Sequence, residues 1–351
     1  MARLEAPKNL LESTPAHVTS MSWLFINQDE NGKEVILKIP NPTHEFENKQ
    51  AVLDAFYNEV KTLRRIGKHR SISTLLGILT DGQIGFFLEY LDPKIWKNGV
   101  DIVRENRIYN HLAAKLDTTD RRPDFNLFDL AYITVQAIEV LKYAIRHNIL
   151  HRDLKPGNMF YRQGHLVIVD WALAGPPKAN RGPHSTTSYL SIQSSVESNP
   201  VTIADELHAL VISLFEFLTG CVPFSSDTET RTIDERQTVD IRKAPDTAEK
   251  KIRRLEVYSG LYDFEELRKC KFLNDDQKHK VREFFQRVIV ARDYTEVEDL
   301  DIFVRDFFGA IGIQKPAKHF KLQRPFPNYF YPNFLMPQRA VAQRLLHVRR
   351  S

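Results

Sequence analysis

Near Asp92 the spacing of apolar residues changes from strand-like alternation to helical periodicity, and this change restricts the fold more than any other feature of the chain. Before it, short runs at Met21–Asn27, Glu34–Ile39, Ser73–Leu79 and Ile84–Tyr90 predict strands. Asp29-Glu30-Asn31-Gly32 and Asp81-Gly82 supply the turns. One helix is predicted among them, Asn48–Ile66, with Ala55, Phe56, Val60 and Leu63 on one side. After it, helices are predicted at Leu127–His147, Val201–Thr219, Tyr262–Cys270, Asp276–Val290 and Val297–Phe308. A second pair of strands, Asn158–Tyr161 and His165–Val169, interrupts them. The expected class is α+β: a small antiparallel sheet lobe with one helix, then a larger, mainly helical lobe. The expected boundaries are an extension over 1–20, a first lobe over 21–91, a second over 92–312 and a C-terminal extension over 313–351.

The bulk properties exclude several other classes. The 351 residues suit a two-lobed enzyme or two modest domains, and 42% hydrophobic content supports a sizeable core. With 49 basic against 45 acidic residues, there is no strong nucleic-acid signal. Cys221 and Cys270 stand too far apart to suggest a zinc site or a disulfide framework, and both are expected to be reduced. The most apolar stretch, 209–224, contains Glu216 and reads as a buried helix, not a membrane span. Charges and a proline interrupt the first residues, so no signal core is expected. The expected setting is intracellular, cytoplasmic or nuclear. Residues 226–260 read as a charged surface insertion, and the aromatic, proline-rich run after Ile313 cannot be regular helix.

Chemistry concentrates in His151-Arg152-Asp153-Leu154-Lys155-Pro156-Gly157-Asn158, followed by Asp170 after the strand pair. A carboxylate such as Asp153 can take the proton of an attacking hydroxyl, help worth about 10²–10⁴-fold. The Asn158 amide and the Asp170 carboxylate are hard oxygen donors that suit Mg²⁺. Lys155 on the same segment can neutralise a transferred phosphoryl group. This run resembles the catalytic loop of protein kinases, H-R-D-L-x-x-x-N. Five matched positions give a chance match on the order of one in ten thousand for a chain of this size.

The resemblance implies a bilobal protein-kinase-like fold, ATP and Mg²⁺ as cofactors, and a protein substrate. Val35-Ile36-Leu37-Lys38 is similar to the family's V-A-I-K, which implies that Lys38 holds the α- and β-phosphates and pairs with Glu59. Glu89 to Leu91 falls where the family's hinge receives adenine, with Leu88 as the gatekeeper and Phe160 in the cofactor site. Asn158 and Asp170 take the metal positions. Thr186 and Thr187 fall in the activation segment, with Thr186 directed at Asp153. Asp205 is expected to brace the catalytic loop, and Arg152 to pair with activation-segment groups. The Lys155-Pro156 continuation is similar to the serine/threonine subgroup.

Some positions depart from the pattern. The only glycine before Lys38 is Gly32, so Ala16–Trp23, where the family has its glycine-rich phosphate loop, holds none. Ile36 replaces a small alanine, Trp171-Ala172 replaces Phe-Gly, and Gln193 replaces a glutamate whose arginine partner here is Arg292. Three functions compete: a serine/threonine protein kinase, a pseudokinase scaffold, and a small-molecule kinase of the aminoglycoside or choline type. Taken alone, Lys38 reads as a solvated strand lysine and His151 as a packed core histidine; only the company of Glu59 and the catalytic loop gives Lys38 its role.

Overall fold

The computed structural model describes residues 14–19, 21–41, 49–79, 84–116, 125–179, 189, 191, 200–221 and 264–313. Thr186, Thr187, Gln193, the 226–260 insertion and the chain after Ile313 lie outside them. Among the described residues the first lobe is an antiparallel sheet ordered β1-β2-β3-β5-β4. Its strands are β1 (His17–Val18), β2 (Ser22–Gln28), β3 (Glu34–Pro40), β4 (Leu75–Ile78) and β5 (Phe86–Glu89). Helix α1 (Lys49–Ile66) packs on it.

Alternation along β3 decides what this lobe can do. Val35, Leu37 and Ile39 point into a core with Phe25, Leu79 and Phe87. Lys38 must then point to the opposite face with Ile36. On α1 the buried stripe runs Val52, Phe56, Glu59, Leu63, Ile66, at the three- and four-residue spacing of one helix face. Glu59 therefore occupies a position where the pattern calls for an apolar residue.

The second lobe begins with β6 (Lys97–Asn98), which joins β7 (Met159–Arg162) and β8 (His165–Ile168) in a small antiparallel sheet. Its helices are α2 (Gly99–Leu116), α3 (Leu127–Arg146), α4 (Ile203–Thr219), α5 (Asp275–Gln286) and α6 (Asp299–Ala310). Every residue of α4 is buried, so this helix is the axis of the lobe. Side chains cap three starts: Asn126 with Asp129, Thr202 with Asp205, and Asn274 with Gln277. The lobes join through backbone bonds from Ile168 to Ser71 and from Ser73 back to Ile168.

Three elements differ from the sequence expectation. Helix α2 was not legible because Asn106 and Asn110 stand in its buried stripe. They donate to the carbonyls of Phe217, Leu218 and Thr219 at the end of α4, so polar residues do there what apolar ones usually do. The helix expected over Asp276–Val290 ends at Gln286 and widens into a π turn, Arg287–Ala291, closed by Arg292 at φ 54°. Of the helix expected over Tyr262–Cys270, the described part is one 3₁₀ turn, Glu265–Lys269.

Gly220 ends α4 at φ 75°, and a Cβ there would sit 2.3 Å from the backbone of Arg107 on α2. Gly220→Ala is expected to cost about 2 kcal/mol or more, from left-handed strain and overpacking. Denaturant unfolding would register this as a lower midpoint at unchanged slope.

Candidate active site

The side chains singled out in the sequence meet where the two lobes face each other. Lys38 Nζ lies 2.7 Å from Glu59 Oε2 and 3.0 Å from Asp170 Oδ1. Burial alone would push the lysine pKa down, but the charges of Asp170 and Glu59, with their hydrogen bonds, hold it above the usual lysine range. Burial, helped by the nearby Asp170 charge, raises the Glu59 carboxyl despite the opposing pull of Lys38. Burial works in the same direction on Asp170, yet Lys38 and Lys155 outweigh it and keep this carboxyl below its ordinary value.

The catalytic-loop segment closes the other side. Lys155 Nζ donates to Asp153 Oδ2 at 2.7 Å. Asn158 Nδ2 donates to the Asp153 carbonyl at 2.9 Å and its carboxylate at 3.1 Å. This turns the Asn158 amide oxygen away from Asp153. The Asn158 carbonyl accepts from Val169 N, so the backbone places Asn158 beside the segment that carries Asp170. Arg152 and Asp170 both hold positive φ, 67° and 62°, an unfavourable conformation for non-glycine residues that is retained where surrounding contacts enforce it.

His151 is fully buried, as a packing residue should be, with its ring edge-on to Trp171 at 4.5 Å. Nε2 donates to the Val169 carbonyl, and Nδ1 accepts from Asp153 N. Both bonds suit the neutral ring. Burial lowers its pKa, only partly offset by Asp153, the Val169 carbonyl and Asp170.

Two supporting residues escaped the sequence reading. Arg152 N donates to a carboxylate oxygen of Glu206, so Glu206, not Asp205, braces the loop. The helical register decides between these neighbours: Asp205 at the start of α4 instead caps it through Thr202, accepts from Ser191 and pairs with Arg292 at 3.1 Å. The second is Asn58, beside Glu59 on α1. Its Nδ2 donates to the carbonyls of Ala172 at 2.9 Å and Ala174 at 2.7 Å, tying the helix to the segment after Asp170. Nothing in a local pattern marks Asn58, since both acceptors are backbone groups more than a hundred residues away.

Of the other expected residues, Leu88 and Glu89 lie on β5 and Phe160 on β7, while Thr186 and Thr187 fall outside the described residues. Leu88 is buried and pairs with Ile36 across the sheet. Glu89, Tyr90 and Leu91 are half-buried at the exit of β5, and Glu89 N is committed to the Thr74 carbonyl. Phe160 is half-buried on β7. Arg152 Nη2 donates to the carbonyls of Pro176 and Ala179, within the segment it was expected to engage. The connection into α2 seats itself on the catalytic loop: Asn98 Nδ2 donates to the Gly157 carbonyl, and Gly99 leaves room for the Pro156 backbone.

Comparison with known proteins follows this geometry. The model of the protein kinase domain matches residues 23–291. The RAF proto-oncogene serine/threonine-protein kinase of Xenopus laevis is 30% identical over 199 residues, 54% of this chain and 27% of that protein. Human serine/threonine-protein kinase A-Raf is 28% identical over 200 residues, 54% of this chain and 29% of that protein. PknA of Corynebacterium glutamicum, also a serine/threonine-protein kinase, is 28% identical over 214 residues, 59% of this chain and 42% of that protein. The matched region thus spans less than half the length of these relatives.

Two predictions follow from the packing of the site. Asn58→Ala removes two hydrogen bonds of about 0.5–1.5 kcal/mol each and is expected to destabilise the fold by about 1–3 kcal/mol, measurable by chemical denaturation. The His151 ring is neutral in the fold, whereas in the unfolded chain it takes up a proton near pH 6.5. The unfolded state then binds more protons, so stability is full above that pH and falls as pH drops below it. Thermal unfolding between pH 7.5 and 5.5 should show this slope, and His151→Asn should flatten it.

Proposed function

The chain belongs to the protein kinase domain family, and on that premise we propose that it is a serine/threonine protein kinase acting with ATP and Mg²⁺ on a protein hydroxyl. The observation that carries this reading is that two linked groups, Lys38 with Asp170 and Asp153 with Lys155 and Asn158, are brought side by side by the backbone bond from Val169 to Asn158. The substrate hydroxyl oxygen attacks the γ-phosphorus, the bond to the β-phosphate oxygen breaks, and the proton passes to Asp153. Lys155 offsets charge on the transferred group while it holds Asp153 in place. Lys38, fixed by Glu59, orients the α- and β-phosphates. Glu89 and Leu91 receive the adenine edge, with Phe160 beneath it. Thr186 and Thr187 belong to the activation segment.

The donors fit the metal. Lys38 occupies one oxygen of Asp170, and the Asn158 amide oxygen is turned away from Asp153. No cluster of three or more His, Cys, Asp or Glu that could hold a metal occurs among the described residues. One carboxylate and one amide suit Mg²⁺, which is usually completed by water and substrate phosphates. Bound there, Mg²⁺ would spread the negative charge of the phosphates. We assign 21–91 and 92–312 to the two lobes and 1–20 and 313–351 to extensions, in an intracellular protein, cytoplasmic or nuclear. Among the described residues no helix is long and apolar enough to cross a membrane.

A scaffold without catalysis has one observation in its favour. The connection between β1 and β2 contains no glycine, and the Met21 and Ser22 amides donate to the Thr19 side chain. Transfer from radiolabelled ATP to a generic protein acceptor distinguishes the two readings. Asp153→Ala is expected to lower labelling by about 10²–10⁴-fold, and Asp170→Asn to raise the magnesium concentration needed for half-maximal rate. Equal labelling by both variants and the wild type would remove the catalytic reading.

A further inference from the structure

The β1–β2 turn stands beside Lys38. Ser22 pairs with Pro40, two residues beyond Lys38 on β3, or about 7 Å along the strand. Thr19 closes this turn on itself. Its Oγ1 accepts from Met21 N at 3.2 Å and from Ser22 N at 2.8 Å, while Thr19 N donates to the Ser22 carbonyl at 2.8 Å. Asn41, just after β3, adds two ties: Nδ2 donates to the Thr19 carbonyl and its amide to the Met21 carbonyl, both at 3.0 Å. Ser22 is buried at 2% exposure. A backbone N–H that already donates to a hydroxyl has no second bond to give a phosphate oxygen.

We propose that Thr19 is a specificity-determining residue of the nucleotide site: it takes up the Met21 and Ser22 amides, so that phosphates are held by Lys38 and Lys155 and not by these amides. This rests on the nucleotide-binding reading given above. A glycine turn presents its N–H groups to an anion as a concave cradle. Here one side chain fills that role internally and stabilises the turn in the absence of any anion. The phosphate share of nucleotide affinity then rests on point charges.

Isothermal titration calorimetry tests this on the full chain, with a magnesium-bound non-hydrolysable ATP analogue and with adenosine, which lacks phosphates. Thr19→Val keeps the shape but removes the acceptor; Thr19→Gly removes it and frees the backbone; Thr19→Ser restores it. Thermal unfolding checks that each variant folds. The expected result is analogue binding tightened about threefold to tenfold by the Val or Gly change, adenosine binding unchanged, and Thr19→Ser equal to wild type. If Val and Gly variants that bind adenosine normally bind the analogue no more tightly than wild type, the Thr19 assignment is overturned and the kinase reading stands. If Val loses adenosine binding through a collapsed turn, the Gly variant alone decides in the same way. Should the wild type and all variants bind neither ligand, the nucleotide reading fails and the Thr19 assignment fails with it.

Discussion

A lysine ammonium buried between two carboxylates joins the parts of this molecule. Lys38 comes from the sheet, Glu59 from the helix packed on it, and Asp170 from the end of the small second-lobe sheet. Taking these charges out of water is costly, and their attraction offsets that only when the geometry is good. The arrangement is therefore poor evidence for stability and better evidence for a shared task. Each charge holds the others where hydration would otherwise scatter them.

Contacts around this centre make it rigid. Asn58 holds α1 to the carbonyls that follow Asp170, His151 and Trp171 pack under the loop, and Glu206 anchors the loop from the buried axis helix. Asn98 and Gly99 bring the start of α2 against Pro156 and Gly157. The positive φ angles of Arg152 and Asp170 are sustained by this shell. Orientation of the charged groups is thus set both by one another and by the backbone carbonyls and amides around them.

The turn beside Lys38 follows a different logic. A glycine turn leaves its amides open and gains its full set of hydrogen bonds only when an anion arrives. In this chain Thr19 accepts from the Met21 and Ser22 amides, and Asn41 fastens the Thr19 and Met21 carbonyls to the end of β3.

Much of the fold was legible from local pattern. Alternation in β2 and β3, the amphipathic stripe of α1 and the apolar length of α4 follow from side-chain periodicity, which needs no knowledge of distant contacts. The catalytic loop was legible because its chemistry lies within eight consecutive residues. Helix α2 was hidden because Asn106 and Asn110 face inward to carbonyls on another helix. The choice of Glu206 over Asp205, the link from Asn58 and the pairing of Arg292 with Asp205 belong to the tertiary structure alone. In each case the partner is distant in sequence, often an anonymous backbone group, and only packing brings it within hydrogen-bond reach. The sequence by itself determined which groups the site contains; the tertiary structure decided what holds them, because orientation depends on neighbours that no local spacing encodes.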